Sequence, residues 1–484
     1  MQNAATNSAA VTAYQLMRAG RLAAALPYAR AAVSTAAACT SEHGMLATIL
    51  CGMGQRAEAE EVVLSALQLG GGNADSYDAL AHVSITLGHP ERANALYRRA
   101  VESEPRSARF WYNLASSERS LGRLVSAEAA CQRSIELDRS AFPSYLLRSE
   151  LRTQTPMDNH VGELEALLTG ASADERALVP LGYALAKELD DLGQYDDAFK
   201  WLSSAAQTRR KLLSYDVAVD EEKIRRLTEA YSLDYLRAPR ARIETGNYIF
   251  VVGLPRSGTT LLERILTGIP GVRTNGETDN FSQALLQATP AGGGDLFTRT
   301  TDADPDTVAK HYAQFAGSGG SGGAIIEKLP LNYLYLGAIS RALPNAKLLW
   351  IRRSAVDSCF AMYRTLFGQA YPFSYDFQDL ARYYGAYDRL MSHWQLALGE
   401  RLLPVSYEEL VTNPGVVGRS VADHCGLQWD ASAVQIEKNA TASFTASAAQ
   451  VRRPIYTSSV GRWRHYARHL EPLTARLREL GVRE

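Results

Sequence analysis

Along residues 1–235 the chain is Ala-rich and apolar positions recur at helical spacing, which predicts an all-α region. Beyond residue 247 the pattern changes. Apolar runs of strand type at 248–253, 324–328, 346–351 and 402–405 alternate with helix-type stretches at 259–267, 331–342, 354–366, 376–396 and 459–479. Strands separated by helices predict a parallel sheet with helices on both faces. The joint reads Arg237-Ala238-Pro239-Arg240-Ala241-Arg242, a Pro within a basic cluster. It predicts a linker over 236–247 between a domain at 1–235 and another at 248–484. Two Gly-rich stretches, 291–294 and 317–323, predict loops.

The helical half is periodic. Gly20, Gly54, Gly88 and Gly122 are each 34 residues apart. Five residues after each comes Ala25, Ala59, Ala93 or Ala127, and twelve after each a small residue, Ala32, Ala66, Ala100 or Ser134. A further unit has Gly193, Ala198 and Ala205, and an insertion near 156–159 accounts for its offset of 71 from Gly122. Gly permits a positive φ at a helix–helix corner, and Ala allows close approach of two helices. Each such unit buries its apolar face only by stacking on the next. The 34-residue period resembles the tetratricopeptide (TPR) repeat. That resemblance implies a solenoid whose concave face holds a peptide or protein partner, or else serves as a scaffold with no ligand.

Bulk composition narrows the choice further. The formal net charge is −1, so bulk electrostatics point neither to nucleic acid nor to an anionic membrane as partner. Cys39, Cys51, Cys131, Cys359 and Cys425 are widely separated with no C-x-x-C, which predicts a reducing compartment rather than a disulfide framework or zinc site. Residues 1–6 have no basic or apolar leader character, and no apolar run approaches the roughly 18 residues of a membrane span. A cytoplasmic location is expected.

The chemistry starts at 248–260, Y-I-F-V-V-G-L-P-R-S-G-T-T. A strand-type run feeds Gly253, then a loop, then Gly258-Thr259-Thr260 and a helix-type stretch. The nucleoside-triphosphate P-loop places a Lys after its second Gly, to reach the β/γ-phosphates. Here Thr259 stands there, and the cation is inside the loop as Arg256. Backbone N–H groups from Ser257 to Thr260 at a helix N-terminus favour an anion, and Arg256 adds a charged fork of donors. The strand at 346–351 ends in Arg352-Arg353, where a kinase or ATPase would carry an acidic metal ligand. Both departures argue against ATP or GTP as substrate.

The P-R-S-G-T-T loop and the stretches that follow it resemble 3′-phosphoadenosine 5′-phosphosulfate (PAPS)-dependent sulfotransferases, most closely the tyrosylprotein sulfotransferase branch and its TPR-fused relatives. The resemblance covers residues from about 247 to the end. It implies an α/β, P-loop-like sulfotransferase domain with a central parallel sheet. Glu277, in Gly276-Glu277-Thr278, matches the general base, and Lys328, in Glu327-Lys328-Leu329-Pro330, the lysine that stabilises the transferring group. Ser447 falls on the second transition-state residue. Arg256, Ser257, Gly258, Thr259 and Thr260 correspond to the 5′-phosphosulfate loop, Arg353 to the 3′-phosphate arginine and Tyr407 to a cofactor-contacting tyrosine. Arg462, within Q-V-R-R-P-I-Y-T-S-S-V-G-R-W, falls on the lysine of a cofactor-closing segment. One position departs from the family: Ala361 stands where the family has a serine that also holds the 3′-phosphate, so that either Ser358, Arg364 or a backbone group substitutes or the 3′-phosphate is held more loosely.

Sulfuryl transfer, like phosphoryl transfer, is expected to rest on positioning and electrostatic stabilisation, with a base at the acceptor hydroxyl and no metal. The expected partners are PAPS, its product 3′-phosphoadenosine 5′-phosphate (PAP), and a hydroxyl acceptor: a peptide tyrosine, a sugar or a small metabolite. A TPR adaptor with an inactive sulfotransferase domain is the competing reading. The Tyr-rich stretch 363–387 is expected to pack with phenol tips near the surface, and no histidine is assigned a role.

Overall fold

The computed structural model describes residues 2–34, 39–170, 174–237, 246–293, 295–317, 323–439, 441–445 and 447–482. The chain forms two compact units, Met1–Arg152 and Thr153–Glu484. No helix among the described residues is long and apolar enough to cross a membrane.

The first unit is a run of antiparallel helices from Gln2–Arg18 to Phe142–Glu150. Its corner glycines take φ of +72°, +75°, +86° and +78° at Gly20, Gly54, Gly88 and Gly122. At each corner the residue after the glycine reaches back to close the preceding helix, as in Gln55 N–H to Leu50 O at 2.9 Å and His89 N–H to Ser84 O at 2.8 Å. Ala25, Ala59, Ala93 and Ala127 are fully buried, as the close helix crossing requires. Ion pairs link neighbouring repeats: Arg92 to Glu60 at 2.6 Å and Arg123 to Glu91 at 2.8 Å.

The pattern grouped residues up to 235 with the repeats, yet the helices after residue 152 pack within the second unit. Glu175–Asp191 and Tyr195–Lys211 keep the repeat corner, with Gly193 at φ +75° and Ala198 and Ala205 buried. Their faces are taken up by residues that follow the linker. Tyr183 OH donates to Tyr363 O at 3.2 Å, and Arg210 pairs with Asp379 at 2.6 Å. The insertion expected near 156–159 is a tight turn closed by Thr155 and Asp158, which exchange backbone bonds of 3.1 Å. Most of the linker (238–245) and of the Gly-rich stretch 317–323 (318–322) lies outside the described residues, as does Gly294.

Five strands form one parallel sheet: β1 (Asn247–Val252), β2 (Val272–Thr274), β3 (Ala324–Glu327), β4 (Lys347–Arg352) and β5 (Leu402–Ser406), in the order β2-β3-β1-β4-β5. β2, with three residues, is too short to show as a periodic run. β1 is central and all but its first residue are buried, which explains its unbroken apolar run. Ile249 and Val251 pack with Leu262 and Ile265 of the helix Thr259–Thr267, and with Leu349 and Val405. The chain leaves β1 towards β2 and leaves β4 towards β5. The carboxyl ends of these adjacent strands therefore flank the crevice where an open α/β sheet takes its ligand.

Two expected helices are split. The stretch 331–342 begins as a 3-10 turn, Pro330–Tyr335, before the α-helix Leu336–Ala342. The C-terminal one is a 3-10 turn, Arg462–Tyr466, followed by Glu471–Glu479, which has Pro in its first turn. The tyrosines of 363–387 also differ from expectation: Tyr363, Tyr375, Tyr383, Tyr384 and Tyr387 are buried. Tyr383 and Tyr333 share a 2.5 Å hydroxyl bond, and Trp350 Nε1–H donates to Tyr387 OH at 2.7 Å. A phenol whose tip finds an internal partner does not need the surface.

Candidate active site

β1 ends at Val252, and residues 253–258 wrap to the N-terminus of the helix Thr259–Thr267. Gly258 is the N-cap, at φ +112°. A Cβ there would lie 2.4 Å from Tyr407 Cδ2, so the ring fills the space that only glycine leaves. Arg256 is one of two non-glycine residues with positive φ among those described, at +65°. Such strain persists where surrounding bonds hold it. Here Arg353 Nη1 donates to the Arg256 carbonyl at 2.9 Å. The Arg256 guanidinium donates to Ser447 Oγ, and to Gln450 Oε1 at 2.8 Å.

Lys328 follows the last residue of β3 and is fully buried. Its ammonium donates to Glu277 Oε1 at 2.5 Å and lies 3.5 Å from Glu263 Oε2, in the helix that the loop opens. A buried cation needs such partners. Glu277 keeps 35% of its side chain exposed, so one end of the pair faces solvent. Arg353, next after β4, also reaches Ser459 O at 2.7 Å, and its guanidinium stacks on the Tyr407 ring at 4.7 Å. Tyr407 OH and Ser459 Oγ share a 2.5 Å bond.

Expected site residues from six chain segments therefore meet in two groups: Lys328 with Glu277, and the loop with Ser447, Arg353 and Tyr407. Glu263 of the loop's own helix joins the two groups. The Arg462 guanidinium pairs with Asp190. Of the substitutes for the serine absent at Ala361, the Ser358 hydroxyl donates to Arg353 O at 3.4 Å and Arg364 pairs with Asp190 at 2.5 Å.

Three carboxylates escaped the sequence reading. Glu327 is fully buried and organises the loop that carries Glu277. Oε1 accepts from Asn275 Nδ2 at 2.6 Å and Asn280 Nδ2 at 3.0 Å, and Oε2 from Thr278 Oγ1 at 2.9 Å. Burial pushes its carboxyl above the ordinary range against these bonds. A charged residue inside the strand run Ala324-Ile325-Ile326-Glu327 was the available signal. Asp357 accepts from Gly461 N–H at 2.7 Å and so holds the segment before Arg462. Asp190 is the third. Arg264, almost fully buried, anchors the stretch leading to Ser447 through Asn439 O at 3.1 Å; burial, with Arg452 nearby, brings its guanidinium down to about 10.

The loop's donors suit a phosphorylated ligand. Ser257 Oγ and Arg353 Nε are buried without a hydrogen-bond partner among the described residues. Both lie at the helix N-terminus or the adjoining strand end, where an anion would satisfy them.

Residues 248–431 match the model of the sulfotransferase family, and residues 79–142 that of the tetratricopeptide repeat. An uncharacterized protein of Aquifex aeolicus is 27% identical over 398 residues, 79% of this chain and 52% of that protein. Protein-tyrosine sulfotransferase 2 of Gallus gallus is 26% identical over 257 residues, 47% of this chain and 68% of its own. The chain thus spans about half the length of the first relative and two thirds of the second. Among solved structures, the sulfotransferase domain of the Synechococcus PCC 7002 olefin synthase aligns with 18% identity and a TM-score of 0.36, over 47% of this chain and 91% of that one. The chain carries a TPR-like helical region followed by a sulfotransferase domain on a five-stranded parallel sheet.

Proposed function

We propose that the chain is a PAPS-dependent sulfotransferase acting on an acceptor hydroxyl, with a peptide or protein tyrosine as the acceptor. One observation carries the reading: the Lys328–Glu277 pair stands against the helix opened by the Arg256 loop, while Arg256 itself donates to Ser447. Cations, a hydroxyl donor and a carboxylate are the groups that in-line sulfuryl transfer needs. Ser257–Thr260 and Arg256 hold the 5′-phosphosulfate. Arg353, on the other side of the crevice, holds the 3′-phosphate, with Tyr407 beside it. Arg462 closes over the donor.

In transfer the bond from sulfur to the 5′-phosphate oxygen breaks and a bond from sulfur to the acceptor oxygen forms. Glu277 takes the acceptor proton. Lys328, Arg256 and Ser447 offset charge on the transferring group and the leaving phosphate oxygen. No step calls for a metal. Two of the relatives are protein-tyrosine sulfotransferases of Gallus gallus and Caenorhabditis elegans, which favours tyrosine over a sugar or small metabolite. In sequence modules we keep a repeat region at 1–235 for a peptide or protein partner, a linker at 236–247 and the catalytic domain at 248–484. The cytoplasm, where PAPS is made, is the proposed location.

The test is a thermal-melt titration with PAP, against ATP plus Mg²⁺. Ligand at 100 times its dissociation constant adds about 2.7 kcal/mol, which raises the melting temperature by several degrees. A shift with PAP alone supports the donor assignment. A shift with ATP alone overturns it, and no shift with either favours an adaptor with an inactive domain.

A further inference from the structure

The helix Glu175–Asp191 ends in a corner built like those of the repeats. Gln194 N–H closes it on Leu189 O at 2.9 Å, ahead of the helix Tyr195–Lys211. Three positions before the corner glycine, the other units carry Met17, Cys51, Ile85 and Arg119; this one carries Asp190. The change puts a negative charge at a helix C-terminus, where the dipole disfavours it. It also buries that charge to 3% exposure, which is tolerated only with close partners.

Asp190 has three. Arg364 and Arg462 both donate to Oδ2, and Tyr466 OH donates to Oδ1 at 2.5 Å. Burial pushes the carboxyl up, but the two guanidinium groups more than offset it and hold it below the usual carboxylate range. One carboxylate facing two arginines leaves the cluster net positive. Arg462 Nε is buried without a hydrogen-bond partner among the described residues.

The cluster is continuous with the donor loop. Gly461, next to Arg462, is held by Asp357. Ser459 O accepts from the same Arg353 that bonds the Arg256 carbonyl. Tyr456 lies within electrostatic reach of both Arg256 and Arg462.

We infer that Asp190 is a positioning residue for donor binding: it holds Arg462 of segment 459–466 together with Arg364, at the end of the helix Ala355–Tyr363, so that the two present their charge to a bisphosphorylated nucleotide. The inference rests on the donor reading above. It gives the last repeat-like corner a task in the reaction: the hairpin 175–211 orders the closing segment, and Ala361 is compensated by arginines held ready on a carboxylate. Asp190 touches neither substrate.

The experiment uses the full chain and PAP as probe. Wild type is measured first, and a wild type that does not bind PAP overturns the donor reading and this inference with it. Given binding, Asp190→Asn is expected to weaken PAP about tenfold, equivalent to about 1.4 kcal/mol. Donor KM should rise by a similar factor with kcat changed by less than about twofold. Arg462→Ala should cost about tenfold in wild type and about twofold or less in the Asp190→Asn background, because the two act as one unit.

A purely structural Asp190 would give additive losses, and additivity overturns the inference. So does unchanged PAP affinity in Asp190→Asn. Tighter binding would mean that the carboxylate competes with the donor, and overturns it too. Asp196→Asn is the control. It removes the exposed carboxylate that pairs with His469 at 2.7 Å and with Arg468, between the same hairpin and the C-terminal segment, without touching Arg462. It should leave PAP affinity unchanged; an equal loss would point to general docking and overturn the inference. Should Asp190→Asn fail to fold, Tyr466→Phe decides. Losing one bond to the carboxylate is expected to weaken PAP about two- to threefold, and wild-type affinity there overturns the inference.

Discussion

The repeats of Met1–Arg152 and the active-site half of Thr153–Glu484 are stabilised over very different sequence distances. In the repeats the deciding bonds are local or one repeat away. His89 closes on Ser84, five positions back, and Arg92 reaches Glu60, 32 positions back. In the site, Arg256 bonds Ser447 across 191 positions and Arg462 bonds Asp190 across 272. The first kind of structure tolerates change by spreading it over equivalent units. The second concentrates charge at a few points where losing one partner leaves another buried and unpaired.

The largest expected break is chemical. Glu277→Gln keeps a partner for Lys328 but removes the base, so kcat should fall about 10²–10⁴-fold while PAP still binds. Wild-type turnover by this variant would remove Glu277 from its role.

Next comes Glu327→Ala, which strips the acceptor from Asn275, Asn280 and Thr278 in a fully buried place. A loss of about 2–4 kcal/mol is expected, read from the urea midpoint, with reduced turnover because the Glu277 loop is released. Unchanged stability would mean that the loop holds itself. The same residue has a pH signature. Its carboxyl is raised in the fold, so its stabilising contribution is full below the ordinary carboxyl value and is lost as pH rises through the raised one. Glu327→Gln should flatten that part of the stability–pH curve.

The two smaller effects compare one substitution in both regions. Gly258→Ala meets a positive φ and the Tyr407 ring at 2.4 Å, and should cost about 2–3 kcal/mol along with PAP binding. Gly88→Ala meets a positive φ of +86° and nothing within 4 Å. It should cost only about 1 kcal/mol, measured as a shift in the repeat unit's melting. Equal costs at the two glycines would break the distinction between a corner and a packed site.

Much of the site was legible in the sequence because its first part is contiguous: strand, loop and helix lie within 247–267, and Arg256 is in the loop itself. The spacing of the family it resembles added Glu277, Lys328, Arg353, Tyr407 and Ser447; Lys328, Arg353 and Tyr407 directly follow β3, β4 and β5, Glu277 pairs with Lys328, and Ser447 accepts from Arg256. Glu327, Asp357 and Asp190 were not legible, since a carboxylate carries no local mark of the partner it will meet. Asp190 was further hidden inside a repeat whose spacing explained its neighbours. The guanidinium of Arg462, the residue expected to close over the donor, pairs with Asp190, a contact no local pattern announces.

The residue order by itself determined the repeat period, the corner glycines with their buried alanines, the central apolar strand and the anion-type loop. Each of these depends on φ preferences, side-chain size and periodicity within a few tens of residues. Only the tertiary structure decided that the helices after residue 152 belong to the unit that holds the sheet, that Lys328 is neutralised by Glu277, and that one carboxylate at a repeat-like corner holds both Arg364 and Arg462. Those outcomes turn on which charges are buried together, and burial is settled by the packing of distant segments rather than by any local run of the chain.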